Sequence, residues 1–335
     1  MKRVKIIAEI GVNHNGSIKI AKKIIKKLSK LDIDYIKFQL AKPENVYSLD
    51  AFKADYQKKN DKEKYVIDMS KKLQLSRKQH AILKNYCKKY KKKYLCTAFD
   101  LDSLKYLVNK LKVPLIKIPS GEIVSYDILQ FVSKQSKEII LSTGMASFED
   151  IRKTLKILTK NKKKKITILH CTSLYPVNKS LINLNVLDEI KKRFKRPIGY
   201  SDHSLTDEAC LGAIAKGASI IEKHVTLNNN MSGPDHKASY NIVNFTKFVE
   251  KIRDFEIILG RANKVISKEE NAIKLMARKS IVSKRLIRKG IIIKRDDICF
   301  KRPGTGFSPL EIKKVLGKKT KNAIMPNRVI KNKYL

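Results

Sequence analysis

Two lysines, Lys37 in YIKFQL and Lys117 in LIKIPSGE, lie inside apolar runs, and two histidines, His203 in GYSDHS and His224 in EKHVTL, lie at the ends of such runs. A buried ammonium must either reach water along its own stem or meet an anion. A single lysine of this kind would ordinarily turn outward and end in solvent. Two of them, accompanied by the hydroxyls of Thr97, Ser120, Ser142 and Ser201 at the ends of neighbouring runs, describe a pocket for a small molecule carrying two anionic groups, such as a phosphate ester that also bears a carboxylate. The same lysines also permit Schiff-base chemistry, because one cation beside another depresses its pKa. A lone strand histidine is ordinarily a hydrogen-bonded core residue. Two at the ends of consecutive runs, near Glu222 and Asp235, form instead a candidate site for a divalent cation with coordination positions left open. His203, between Asp202 and Ser204, therefore reads as a metal ligand, a general base or a packed side chain.

These residues need a scaffold that brings eight run ends together. Short β-branched or apolar segments occur at residues 5–11, 34–40, 94–100, 115–121, 138–144, 166–176, 197–203 and 219–227. Most are separated by amphipathic helical patterns. The first has Ile18, Ala21, Ile24, Ile25, Leu28 and Leu31 on one face and Ser17 as its N-cap. Strand and helix alternating eight times predict an α/β fold, a (β/α)8 TIM barrel, with an open doubly wound sheet as the alternative. The barrel is preferred because polar residues gather at the C-terminal strand ends, which in a barrel share one mouth. They include Glu9, Gln39, Glu122, Ser173 and Tyr175. Residues 1–260 are expected to form the barrel, 261–279 a charged helical linker and 280–335 a small module that needs another surface to pack on. The stretch Val46 to Asp68 is expected to be a long loop, substrate-covering or disordered.

With 74 Lys and Arg against 31 Asp and Glu, the 335-residue chain carries a net charge of +43. The excess lysine is spread over nearly every helical segment, including AKKIIKKLSK, YCKKYKKKY and NKKKKI, without interleaved aromatics. This distribution argues against specific nucleic-acid binding and leaves only salt-sensitive adhesion to polyanions. Five cysteines without paired C-x-x-C spacing argue against a disulfide framework or a zinc knuckle. No window is apolar enough for a membrane span or a signal peptide, so a cytoplasmic protein is expected.

Taken with AEIGVNHNGS, IKFQ, KADYQKKN, TAFD, KIPSGEI, LSTGMAS, LHCTSLYP, GPDHKAS and KRPGTGFSP, these motifs resemble the sialic acid (N-acetylneuraminate) synthase family, including its legionaminic acid synthases. The resemblance covers nearly the whole chain. It implies a barrel followed by a C-terminal antifreeze-like (SAF) domain, and condensation of phosphoenolpyruvate with the open-chain aldehyde of N-acetylmannosamine, releasing phosphate. The alternative acceptor is 2,4-diacetamido-2,4,6-trideoxymannose, the legionaminic acid precursor. Mn2+, or else Mg2+ or Co2+, would be held by His203 and His224. Lys37, Thr97, Lys117, Ser120, Ser142 and Ser201 would bind the phosphoenolpyruvate, and Gln39, Tyr175 and Asp235 the sugar. Ser173 stands where some members have Asn. Glu9 and Glu122 would flank the reacting carbons, with Lys117 beside them as a catalytic group. Arg302 in KRPG resembles an arginine that reaches the partner subunit's barrel, which implies a domain-swapped homodimer.

The resemblance resolves His203 as a metal ligand, since a metal-bound imidazole has no lone pair left for a proton. Two other readings remain: a barrel lyase or aldolase that releases no phosphate, and a non-catalytic basic binding protein.

Overall fold

The computed structural model describes residues 3–160 and 164–335. Residues 161–163, the start of the lysine run NKKKKI, lie outside the described residues. The chain divides into two compact units, Met1–Gly260 and Arg261–Leu335.

In the first unit, β1 (Lys5–Gly11), β2 (Tyr35–Leu40), β3 (Lys93–Ala98), β4 (Leu115–Ile118), β5 (Glu138–Ser142), β6 (Ile166–His170), β7 (Ile198–Asp202) and β8 (Ile220–Thr226) pair in sequential order. β1 also pairs in parallel with β8, Lys5 opposite Ile220 through Glu9 opposite His224, and this closes the barrel. The open doubly wound alternative is thereby excluded. A two-residue strand, β9 (Tyr240–Asn241), extends the sheet beside the end of β8. β4, β5 and β6 stop short of the residues 121, 144 and 176 expected from sequence, because Pro119, Gly144 and Pro176 end or follow the ladders and their polar residues lie on the loops beyond.

Successive strand residues point to opposite faces, and this period sorts the chain into two cores. Ile7, Tyr35, Leu95, Leu115, Ile140, Leu169 and Ile220 form a buried apolar cluster inside the barrel. Ile6, Ala8, Ile36 and Phe38 point the other way and pack in the larger core between strands and helices. The first helix, Ile18–Leu28, buries Ala21, Ile24, Ile25 and Leu28, and Ser17 caps it by accepting from the Ile20 amide.

The stretch after β2 departs from expectation. Residues 46–68 carry a helix, Asp55–Asn60, and run into a second, Val66–Leu73. Lys53 holds the intervening chain together: its buried ammonium donates to Asp61 Oδ1 at 2.8 Å, the Asp61 carbonyl at 3.0 Å and the Glu63 carbonyl at 2.9 Å. Fully satisfied, that charge orders a segment whose composition alone looks loop-like.

In the second unit, β10 (Ser280–Ser283) pairs antiparallel with β11 (Ile298–Lys301). Ile281, Ile287, Ile293, Ile298, Val315, Ile324 and Ile330 fill its core. The helix Lys268–Ala277, foreseen as a charged helix, buries none of its residues. A 3-10 helix, Pro309–Lys314, follows its N-cap Ser308.

Candidate active site

The chemistry of the barrel interior begins one pleat above its apolar layer. Two residues after Ile7, Tyr35, Leu95, Leu115 and Ile140 come Glu9, Lys37, Thr97, Lys117 and Ser142; two after Ile220 comes Glu222, then His224. All are buried. Strand period therefore turns every one of them to the barrel interior, with His224 one step beyond Glu222.

There they form a cluster of two ammonium and two carboxylate groups. Lys37 Nζ lies 2.8 Å from Glu9 Oε2 and 3.5 Å from Glu222 Oε1, and donates to Thr97 Oγ1 at 3.2 Å. Lys117 Nζ donates to Glu222 Oε1 at 3.1 Å, and Ser201 Oγ donates to the same oxygen at 3.2 Å. Gln39 Nε2 donates to Glu9 Oε1 at 3.0 Å. Burial alone would raise the Glu222 carboxyl, but Lys117 and Lys37 outweigh it and hold its pKa at about 2. Burial works against Lys37 too, yet Glu222 and Glu9 hold its pKa above the usual lysine value. Lys117 goes the other way: burial lowers it, and neighbouring Lys37 adds to the effect. Among the described residues, Ser142 Oγ and Glu222 Oε2 are buried without a hydrogen-bond partner. Such unspent polar atoms belong to a site built for a polar ligand.

His203 and His224 face each other beside this cluster, ring centroids 5.7 Å apart. Tyr175 stacks on His203 at 4.1 Å and meets His224 edge-on at 5.8 Å. Burial drives both imidazoles neutral. His203 falls to about 4, with His224 adding to the effect, and His224 to about 3, with Lys37 adding. The Thr172 carbonyl lies 2.7 Å from His203 Nδ1, which fixes a proton there and leaves Nε2 with its lone pair. His224 Nδ1 is buried with no partner. Two neutral imidazoles with unspent lone pairs fit a divalent cation. Among the described residues no group of three or more His, Cys, Asp or Glu completes its coordination, so the remaining positions would fall to substrate or water.

Asp202 points away from the site. Outside the strands it pairs with the buried Lys223 ammonium, whose Nζ also donates to the Ser204 carbonyl at 2.9 Å and lies 4.1 Å from the Tyr240 ring centroid. Asp202 and Lys223 are register partners on β7 and β8, and each directly precedes one of the two histidines. Their pairing ties the backbones that carry the imidazoles.

A cavity of about 210 Å³ opens beside His224, lined by Gln39, Tyr175 and Asp235 together with Tyr47, Tyr56 and Gln57 from the segment after β2. Asp235 is buried, and burial with the nearby Glu9 charge raises its carboxyl to about 7. Tyr56 packs against Tyr175 at 5.2 Å, and Asn60 Nδ2 donates to the Pro234 carbonyl at 3.2 Å. Ser120 Oγ accepts from the Gly144 amide at 3.0 Å and contacts Cys171 Sγ at 3.2 Å. A side chain on Gly144 would run into Ser173 Oγ, so Ser120 and Ser173 sit together on the far side of the mouth. Gly11, at φ +54°, is a second close approach: a Cβ there would stand 3.1 Å from Glu9 Oε1 and 3.2 Å from Gln39 Nε2.

Two expected residues lie off the strands. Glu122 is half-buried on the 3-10 helix Ser120–Val124; its carboxylate accepts from Ser125 Oγ, and burial raises its pKa. Arg302 is exposed in the second unit. Conversely, Glu222 is the hub of the ion cluster, although sequence reasoning placed it only beside the histidines. Its signal was the inward period Ile220, Glu222, His224. Tyr47 and Tyr56 carry no signal of their own in the sequence, because their segment has the composition of a loop.

The chain is similar to known proteins over nearly its whole length. Residues 24–264 match the model of the NeuB family, and residues 278–335 match that of the SAF domain. The chain belongs to the NeuB family. It is 42% identical to the N,N'-diacetyllegionaminic acid synthase of Campylobacter jejuni, over 96% of this chain and 97% of that protein. It is 30% identical to the human N-acetylneuraminate-9-phosphate synthase, over 94% of this chain and 88% of that protein. The crystal structure of an N-acetylneuraminic acid synthetase from Leptospira borgpetersenii superposes with a TM-score of 0.73 at 30% identity, covering 81% of this chain and 90% of that one. Among the described residues, no helix of this NeuB-family chain is long and apolar enough to cross a membrane.

Proposed function

We propose that this protein condenses phosphoenolpyruvate with the open-chain aldehyde of 2,4-diacetamido-2,4,6-trideoxymannose, giving a diacetylated legionaminic acid and inorganic phosphate. The observation that carries the reaction class is the interior cluster of Lys37, Lys117, Glu9 and Glu222 beside the neutral pair His203 and His224. The acceptor follows the relative at 42% identity, whose product is the legionaminic acid, in preference to the N-acetylmannosamine first expected. N-acetylmannosamine remains the second reading, favoured by the structural neighbour at 30% identity.

Lys37 and Lys117 receive the phosphate and carboxylate of phosphoenolpyruvate, with Thr97, Ser120, Ser142, Ser173 and Ser201 supplying hydroxyls. Gln39, Tyr175 and Asp235 orient the sugar so that its aldehyde carbon faces C3 of the enol. When bound, a divalent cation such as Mn2+ on His203 and His224 supplies Lewis acidity to the aldehyde oxygen. The C3–C1 bond forms, C2 becomes cationic, and water adds to C2. The tetrahedral centre then loses phosphate by C–O cleavage, so the atoms of one water end in the products. Glu9, paired with Lys37, is suited to stabilising positive charge at C2, while Glu122, raised by burial, is suited to exchanging a proton with the water or the departing phosphate. Arg302 of a partner subunit would complete the sugar site in a homodimer.

The test is phosphate release from phosphoenolpyruvate with Mn2+, with and without either sugar. Release that requires the sugar supports the condensation. A sugar-phosphate product without phosphate release, or a lysine adduct trapped by borohydride, would replace it with an aldolase reading.

A further inference from the structure

The cavity beside Asp235 has two unlike walls, and the following inference rests on reading it as the sugar site. One wall is polar and carries Gln39, Tyr175, His224 and Asp235. The other is mostly carbon, interrupted by the Ser70 hydroxyl. The helix Val66–Leu73 turns Met69 and Leu73 into the cavity, and Val12, from the loop after β1, joins them. Met69 and Leu73 are only 3% and 6% exposed, and with Val66 they form their own apolar cluster, against which Val12 and Tyr47 pack.

Each side-chain amide that borders this wall spends one of its polar atoms within the protein. Gln74 Oε1 accepts from the Ala41 amide at 3.0 Å, and Gln57 Oε1 accepts from the Ala54 amide at 3.0 Å. Gln39 Nε2 donates to Glu9 at 3.0 Å. A sugar hydroxyl pressed against Met69 and Leu73 would exchange water for carbon, whereas a methyl group there gains burial.

We infer that Val12, Met69 and Leu73 form a specificity wall that selects acceptor sugars presenting methyl groups, a deoxy C6 or the methyl of a second acetamido group, where common hexosamines present hydroxyls. Met69 and Leu73 lie outside the motifs that mark the family, while Val12 lies inside AEIGVNHNGS. Apolar pockets discriminate one such group by roughly 10- to 200-fold, so two groups give a measurable preference.

The test compares kcat/KM for 2,4-diacetamido-2,4,6-trideoxymannose and N-acetylmannosamine, each with phosphoenolpyruvate and Mn2+, in the full chain and in Val12→Thr and Met69→Gln. The wild type is expected to favour the diacetamido sugar by about tenfold or more, and each variant to narrow that ratio by about threefold or more. Val12→Thr conserves volume at a half-buried position, so it carries the test if Met69→Gln does not fold. Equal or better use of N-acetylmannosamine by the wild type, or an equal fall for both sugars in the variants, overturns the wall and leaves the condensation standing. Phosphate release with neither sugar overturns the condensation, and the wall with it.

Discussion

The two ends of the barrel interior are one pleat apart and obey opposite rules. At the lower level Ile7, Leu95, Leu115, Ile140 and Ile220 pack as a buried apolar cluster, and their burial adds to stability. At the upper level Glu9, Lys37, Lys117 and Glu222 are equally buried but charged. Desolvating four ions costs several kcal/mol each, and pairing overcomes burial at Lys37 and Glu222 but not at Lys117. The lower layer explains why the barrel holds together, and the upper layer is what the rest of the barrel must support. A charged level kept at such cost belongs to ligand chemistry, with stability drawn from elsewhere.

The largest expected effect separates these levels directly. The double variant Lys117→Met/Glu222→Leu should lose phosphate-release activity by more than about a thousandfold, yet unfold in denaturant at equal or higher stability, by about 1–4 kcal/mol, because a buried pair gives way to carbon. Marked destabilisation with retained activity would erase the contrast. The converse change, Leu115→Ala, should cost about 2–5 kcal/mol of stability through the cavity it leaves, while kcat of the folded fraction stays within about threefold. A collapse of kcat in that variant would mean that the lower layer positions the upper.

A smaller effect is expected outside the strands. Asp202→Asn removes the partner of Lys223 and loosens the tie between the strands bearing His203 and His224. Mn2+ affinity, read by calorimetry in the absence of substrate, should weaken about 10- to 100-fold. Unchanged affinity would show that the barrel alone sets the histidine spacing.

The mildest prediction concerns a titratable group buried without an ionic partner, a third case beside the two layers. His80 packs edge-on against Phe38, with Nδ1 2.7 Å from the Tyr94 hydroxyl, and burial lowers its pKa from 6.5 to about 4. The folded value lies below the unfolded one, so the unfolded chain binds the extra proton as pH falls. Stability should therefore decline from about pH 7 and level off below pH 4, with His80 contributing about 2–3 kcal/mol of the loss by pH 4.5. In His80→Gln the drop between pH 7 and 4.5, measured by denaturant unfolding, should shrink by about that amount. An unchanged drop would assign acid sensitivity to other groups.

Much of this molecule is legible in local sequence. The strand segments, the Ser17 cap and the inward-facing lysines and histidines follow from period and residue type, because a strand's alternation and a helix's apolar stripe are short-range properties. The segment after β2 was not legible. Its order comes from Lys53 satisfying a carboxylate and two carbonyls 8 to 10 residues on, a contact that composition does not announce. Glu222 was visible as a polar residue of β8 but not as the hub, since both of its lysines come from other strands.

The sequence by itself determined which residues would face inward and at what level along each strand. Only the tertiary structure decided which of them would meet. Closure of β1 on β8 sets Glu9 opposite His224, more than two hundred residues later in the chain, and through that closure Lys37 lies within reach of both Glu9 and Glu222. Strand period is local and can be read from a few residues. Ring closure fixes a register across the whole chain, and its outcome depends on all eight strands at once.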